Sequence, residues 1–127
     1  MTLTATAPAQ DSGSRFKVLL VDDSVVVRGM VSRWIAETGD LELAGMAVNG
    51  EQALKKAEAQ EYDLCVLDVE MPVMGGLEAL PKLLALRPRM KVVMCSTLTR
   101  EGGAVTLRAL DLGAADFVAK PEASRLG

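Results

Sequence analysis

The sequence predicts an α/β protein built on one parallel, doubly wound sheet of five strands with helices on both faces. The first reason is alternation: five short apolar runs are separated by four segments whose apolar residues recur at helical spacing. The second is size, because 127 residues, half of them apolar, correspond to one domain with an ample core. Strands that alternate with helices pair in parallel through right-handed crossovers.

Each predicted strand is a continuous apolar run, which is typical of strands that are buried on both faces. The run FKVLLV stops at Asp22 and Asp23, and the run YDLCVL stops at Asp68. We therefore predict strands over residues 16–21, 41–48, 62–67, 91–96 and 115–120.

The first helix has the clearest boundaries. Ser24 is a favoured N-cap residue, and Gly39 is a favoured C-terminal residue. Between them Val27, Val31 and Ile35 recur at helical spacing. The other helices are predicted from about residue 50 to 60, over 77–86 and over 101–112.

The two ends of the chain differ from the folded part. Residues 1–15 are small and polar without periodicity, which predicts a disordered tail. Only seven residues follow Lys120, so a fifth helix is expected to be missing, and residues 122–127 are interpreted as the start of a linker or a truncated terminus. One face of the sheet should then carry the first helix alone. Such an uncovered face predicts a partner surface: either a longer parent protein was cut here, or another chain covers the gap, as in a homodimer.

Composition excludes several functions. The chain contains no histidine, so it cannot assemble a Ser-His-Asp triad or a His-bearing zinc site. A net charge of -3 without a basic run disfavours nucleic-acid binding. No apolar run approaches the roughly 18 residues of a membrane span, and no signal peptide is evident, which predicts a cytoplasmic protein that does not bind membranes. Cys65 and Cys95 lie in apolar runs and are expected to be buried free thiols.

Polar side chains stand where four of the predicted strands end. Asp22 and Asp23 follow the first strand, and Asp68 follows the third. Ser96 and Thr97 end the fourth strand, and Lys120 ends the fifth. Parallel sheets bind ligands at this edge. Neighbouring carboxylates repel one another unless a cation intervenes, and oxygen ligands without His or Cys suit Mg²⁺.

This combination predicts an aspartyl-phosphate site. A carboxylate can accept a phosphoryl group, and the transfer depends on positioning and on neutralising the charge of the phosphoryl oxygens. Glu70 is expected to offer its backbone carbonyl to the metal, because alternate residues point apart, and Gly75 and Gly76 to allow a tight loop. Each group taken alone could be a helix cap, a turn former or a solvated strand end. Their coincidence at one edge favours the site.

These residues resemble a known family. The segments VLLVDDS, DLCVLDVEMPVMGGLEAL, CSTLT and GAADFVAKP are similar to the receiver domain of two-component response regulators, over residues 16–121. Within that family the chain is most similar to the regulatory domain of chemotaxis protein-glutamate methylesterases (CheB).

The resemblance implies a flavodoxin-like, CheY-like fold with strand order 2-1-3-4-5. It implies that Asp68 is the phosphoacceptor and that a separate, CheA-like histidine kinase is the donor. The other implied roles are Mg²⁺ binding by Asp22, Asp23, Asp68 and the Glu70 carbonyl, phosphate binding or switching by Ser96, Thr97 and Lys120, and aromatic switching by Phe117. The methylesterase catalytic domain is not in this chain, so no enzyme is expected.

The chain departs from the family at Gly75, where an acidic or amide residue is usual, so loop rigidity is in question. Two alternatives remain open. One is a receiver-like module that binds partners without phosphorylation. The other is a haloacid-dehalogenase-type phosphatase, which is disfavoured because its nucleophile follows the first strand and its acidic pair comes late, the reverse of the order here.

Overall fold

The computed structural model describes residues 15–97 and 102–120; the predictions for residues 1–14 and 121–127 lie outside this part of the chain. The described residues form five strands and four helices in strict alternation, as predicted. In chain order they are β1 (Phe16–Val21), α1 (Val25–Thr38), β2 (Leu41–Ala47), α2 (Gly50–Ala59), β3 (Leu64–Asp68), α3 (Gly76–Leu86), β4 (Lys91–Ser96), α4 (Gly102–Asp111) and β5 (Asp116–Ala119).

All strand pairs are parallel, and the order across the sheet is β2-β1-β3-β4-β5. This confirms the doubly wound, CheY-like order. The order reverses direction between β1 and β3, so the ends of these two strands lie next to each other at the switch point where such sheets bind ligands. The register continues to the carboxyl edge, where Val21 pairs with Leu67 and Asp68 pairs with Cys95.

The main core lies on the face of the sheet covered by α2, α3 and α4. Leu19 and Leu67 from the central strands are fully buried there with Leu80 and Leu83 of α3 and Ala53 of α2. This core is almost entirely aliphatic. Burying each large side chain contributes about 1.5–3 kcal/mol, and these side chains keep the strand ends rigid.

On the opposite face the described residues supply α1 alone, as expected. Helix α1 contacts β1 and β2 and buries Val27 and Ile35. Farther along the sheet the covering is incomplete, since Val66 and Val93 are only partly buried and Val118 is 42% exposed.

The helix boundaries follow from local hydrogen bonds. The Ser24 hydroxyl accepts from the Val27 amide at 3.2 Å, which confirms the predicted N-cap of α1, and Gly39 ends the helix at a φ of 77°. Strand β2 ends one residue earlier than predicted, because the Val48 amide donates to the Gln52 side chain at 3.1 Å. The Gln52 amide in turn donates to the Asn49 side chain at 2.8 Å, so α2 begins with a reciprocal cap.

Other boundaries shift by one or two residues. Strand β3 begins at Leu64 and includes Asp68, and β5 excludes Lys120, whose amide nevertheless donates to the Ser96 carbonyl at 2.8 Å. None of the described helices combines the length and hydropathy that a membrane crossing requires.

Gly76 is the glycine whose missing side chain matters most for the functional edge. A Cβ at this position would overlap the carbonyl oxygen of Asp68, so α3 can approach β3 only through glycine. Gly29, on the exposed side of α1, has no atom within 4 Å of an added Cβ. The two glycines therefore form a matched pair.

We expect Gly76→Ala to lower the free energy of unfolding by about 1–3 kcal/mol, because the new methyl group must displace backbone. Gly29→Ala should instead raise it by about 0.5–1 kcal/mol through the gain in helix propensity. Urea unfolding followed by circular dichroism measures both. Equal effects of the two substitutions would contradict the close approach of α3 to Asp68.

Candidate functional site

Asp68 is the centre of the carboxyl edge. It ends β3, and its side chain is fully buried. One carboxylate oxygen, Oδ2, lies 3.2 Å from Lys120 Nζ, and the other, Oδ1, accepts from the Glu70 amide at 3.3 Å. A buried carboxylate with one cationic partner is held in a single orientation at the end of a rigid strand.

Asp22 and Asp23 meet Asp68 at this edge. One carboxylate oxygen from each of the three residues lies within 4.8 Å of the others, as the sequence predicted. Asp22 is 2% exposed; its Oδ1 accepts from the Ser24 amide at 2.8 Å, and its Oδ2 lies 3.4 Å from Lys120 Nζ. Asp23 is exposed. Lys120 thus bridges the two buried carboxylates.

The pKa shifts in this cluster show that its buried negative charge is only partly compensated. Burial, and then the neighbouring charge of Asp22, raise the pKa of Asp68 to about 7, although Lys120 opposes the shift. Burial alone would lower the pKa of Lys120, but the carboxylates of Asp68 and Asp22 outweigh it, so the net direction is upward. One lysine is therefore not enough to neutralise the buried carboxylates, and a second cation would be favourable here.

Ser96 and Thr97 differ in their surroundings. Ser96 is buried, one residue beyond the β4 partner of Asp68, whereas Thr97 is exposed. The single proton of the Ser96 hydroxyl has three acceptors within reach, the Glu70 carboxylate oxygens at 3.3 and 3.4 Å and the Thr97 carbonyl at 3.1 Å. These bonds are long for hydroxyl donors, so the hydroxyl can exchange them readily. The sequence did not predict the contact with the Glu70 side chain.

The loop between β3 and α3 contains a strained turn at Val73. The Met74 amide donates to the Pro72 carbonyl at 2.7 Å, and Val73 between them has a φ of 69°. This conformation is rare for a β-branched residue. Gly75 and Gly76 allow the tight loop, as predicted, and they do so by permitting a close approach of the backbone. Gly75 has a φ of -77°, and it is close packing against the Val69 and Asp68 carbonyls that requires the glycines.

Phe117 and Cys95 lie just below the edge, and Cys65 lies lower in β3, beside its partners Leu19 and Val92. Phe117 is partly buried against the core beside its β4 partner Met94. Cys65 and Cys95 are buried free thiols, as expected. Burial, followed by the charges of Asp22 and Asp68, raises the pKa of Cys95 to about 11, and burial raises that of Cys65 further. Neither thiol is therefore activated as a nucleophile.

Arg28 is a residue of this region that the sequence analysis missed. Its Nη1 donates to the backbone carbonyl of Asp22 at 2.7 Å. The signal in the sequence was its place four residues after Ser24, since helical side chains lean back toward the helix N-terminus. An arginine at that position looks like an ordinary surface residue until the loop before it is folded.

Comparisons with known proteins agree with this geometry. The family model for the response regulator receiver domain matches residues 18–126. A curated relative from Caulobacter vibrioides, protein-glutamate methylesterase/protein-glutamine glutaminase 2, is 61% identical over 111 residues, which are 87% of this chain and 32% of that protein.

Two solved structures extend the likeness to the fold. The response regulator domain of Thermotoga maritima CheB has a TM-score of 0.77 at 39% identity, covering 87% of this chain and 81% of that one. A chain of the CheX-CheY-BeF3-Mg²⁺ complex from Borrelia burgdorferi has a TM-score of 0.77 at 30% identity, covering 91% and 86%.

The chain therefore belongs to the response regulator receiver domain family. Within this family it resembles the receiver portion of chemotaxis protein-glutamate methylesterases of the CheB type. It spans about a third of the length of the curated relatives it matches, and the catalytic esterase domain lies outside this chain.

The raised pKa of Asp68 predicts a specific pH dependence of stability. Between about pH 4 and pH 7 the folded chain holds a proton on Asp68 that the unfolded chain has lost, so metal-free stability falls as pH rises through this window. Asp68→Asn removes the titrating group. With a chelator present, we expect the variant to exceed the wild type by about 1–3 kcal/mol at about pH 8 and to match it near pH 4.

Urea unfolding at several pH values measures this difference. The groups whose pKa depends on Asp68, namely Lys120 and Cys95, titrate well above this pH range, so the difference between the two proteins isolates Asp68. A difference that stays constant across the range would contradict a raised pKa at this position.

Proposed function

We propose that this chain is the phosphoacceptor receiver of a chemotaxis-type two-component system and acts in the cytoplasm. Asp68 accepts a phosphoryl group from the phosphohistidine of a CheA-like histidine kinase, with Mg²⁺ bound beside it. Phosphorylation then changes how the receiver contacts an effector domain of the methylesterase type. The observation that carries the proposal is the convergence of Asp22, Asp23 and Lys120 on the buried carboxylate of Asp68.

The donor atoms at this edge fit Mg²⁺. The carboxylates of Asp22, Asp23 and Asp68 supply hard oxygen ligands, with the Glu70 backbone carbonyl as a further donor. The upward pKa shift of Asp68 supports the assignment, because burial, and then the charge of Asp22, outweigh the compensation that Lys120 provides. When bound, the ion supplies positive charge to the phosphoryl oxygens.

The protein groups then have separate tasks in the transfer. A carboxylate oxygen of Asp68 forms a bond to phosphorus while the bond from phosphorus to the donor nitrogen breaks, so the Asp68 carboxylate must be ionised. Lys120, already 3.2 Å from Asp68, neutralises charge on one phosphoryl oxygen. The Ser96 hydroxyl leaves Glu70 and donates to another phosphoryl oxygen. Since these 127 residues include no histidine, the donor histidine must lie outside them.

The output is a change of surface near α4 and β5. Movement of Ser96 opens space beside β5, and Phe117, partly buried next to it, reorients. The described residues nearby present exposed apolar side chains, namely Leu107, Leu110 and Val118. These support an effector contact in this region, and a homodimer through the uncovered sheet face is the alternative occupant.

The central test is covalent labelling of the 127-residue chain with acetyl phosphate and Mg²⁺. We expect the mass to rise by one phosphoryl group, and Asp68→Asn to abolish the increase. Asp111→Asn, at the exposed end of α4, removes the same charge far from the edge and should label like the wild type. Absence of labelling, with beryllofluoride also failing to bind, would favour a receiver-like module that acts without phosphorylation. Continuous turnover of a phosphate ester would favour a phosphatase.

A second experiment should distinguish the roles of the Ser96 and Thr97 hydroxyls at the end of β4. Ser96→Ala removes a donor to the phosphoryl group, and we expect beryllofluoride to bind about three- to ten-fold more weakly in the presence of Mg²⁺. Thr97→Ala should change the affinity by less than about two-fold, because the Thr97 side chain is exposed. Titration calorimetry measures both. A larger loss with Thr97→Ala would reassign the switch hydroxyl.

A further inference from the structure

The Arg28 side chain bonds to a backbone carbonyl rather than to one of the nearby carboxylates. Three carboxylates gather at the edge that α1 begins beside, yet among the described residues the Arg28 guanidinium forms no ion pair within 4 Å. It donates to a neutral acceptor, the backbone carbonyl of Asp22, at 2.7 Å. A short bond from a charged donor to a carbonyl is strong enough to hold a loop in place.

That carbonyl belongs to the peptide unit that joins Asp22 to Asp23. A peptide unit is planar, so fixing its oxygen also fixes its N–H and the direction in which the chain enters Asp23. Asp22 is held independently: its amide donates to the Ala47 carbonyl at 3.1 Å, and its carboxylate contacts Ser24 and Lys120. The exposed Asp23 has no side-chain hydrogen bond recorded in the described part of the chain, so the orientation of its carboxylate depends on the backbone before it.

We propose that Arg28 is a positioning residue that sets the peptide plane between Asp22 and Asp23 and thereby aims the Asp23 carboxylate at the metal site. The Arg28 backbone is fixed in the first turn of α1, since its amide donates to the Ser24 carbonyl at 2.9 Å. The helix and the acidic loop are thus joined into one unit. This inference rests on the proposed function, because it assumes that the three carboxylates bind a divalent cation.

A positioning role and a purely electrostatic role of Arg28 predict opposite changes in Mg²⁺ affinity when the residue is neutralised. A cation beside the site repels Mg²⁺, so removing its charge alone would strengthen metal binding. Removing a residue that orients a metal ligand would weaken it, typically by about ten-fold or more. The direction of the change in Mg²⁺ affinity therefore separates the two roles.

The experiment is calorimetric titration of the metal-free 127-residue chain with Mg²⁺ alone. Arg28→Met keeps the aliphatic stem but removes the donors and the charge, and we expect the affinity to fall about ten-fold. Arg28→Lys keeps a charged donor and should recover part of the loss. Arg33→Met is the control: it removes the same charge from an exposed position on the same helix and should leave the affinity within about two-fold.

A double-mutant cycle tests the route of the effect. If Arg28 acts through Asp23, Arg28→Met should change the Mg²⁺ affinity by less than about two-fold when Asp23→Asn is already present. Unfolding by urea in a chelator shows whether each variant is folded. Should Arg28→Met not fold, Arg28→Gln takes its place in both comparisons.

The outcomes distinguish this inference from the proposed function. If the wild type binds no Mg²⁺, the proposed function fails, and this inference fails with it. If the wild type binds Mg²⁺ and the neutral variant binds equally or more tightly, the positioning role is overturned while the proposed function stands. An undiminished effect of Arg28→Met in the Asp23→Asn background also overturns it.

Discussion

The burial of a carboxylate at the end of a central strand is the constraint on which the site depends. Asp68 is fully enclosed, and the nearly as deeply buried Asp22 is its neighbour. Two such charges are tolerated only with a cation between them, and Lys120 contacts both. The compensation is partial, as the raised pKa of Asp68 indicates. The same imbalance that reduces metal-free stability would be relieved by a divalent cation, as the proposed function requires.

The parallel sheet is what allows so small a domain to bring these charged groups together at one edge. The four groups Asp22, Asp68, Ser96 and Lys120 lie at the ends of four different strands. A helix separates each strand from the next, so these groups are far apart in the sequence. Parallel register brings them to one edge, and the aliphatic core under them keeps each end rigid. Rigidity is needed because the carboxylates would otherwise move apart. The close approach at Gly76 and the hydrogen bond from Arg28 restrain this edge from the two faces of the sheet.

Much of the fold could be predicted because the local signals agree with one another. Ser24 and Gly39 mark the ends of α1, and uninterrupted apolar runs mark strands buried on both faces. The predicted end of β2 was one residue too late, because the Val48 amide bonds to the Gln52 side chain instead of to a neighbouring strand. In the loop before α3 the sequence does not reveal which residue takes the positive φ: it is Val73, while the glycines allow close contacts with β3. Such contacts involve residues that only the folded chain brings together.

By itself the sequence determined the residue types at the strand ends and therefore the chemistry available: acids, hydroxyls and one lysine, with no histidine. These depend only on hydrophobic pattern and on the identities of the residues that follow it. Tertiary structure alone decided that Lys120 bridges Asp22 and Asp68, that Ser96 rests on the Glu70 side chain, and that Arg28 holds the Asp22 carbonyl. Each of these contacts depends on side-chain direction and on distances of a few ångströms across separate elements, which no one-dimensional pattern encodes.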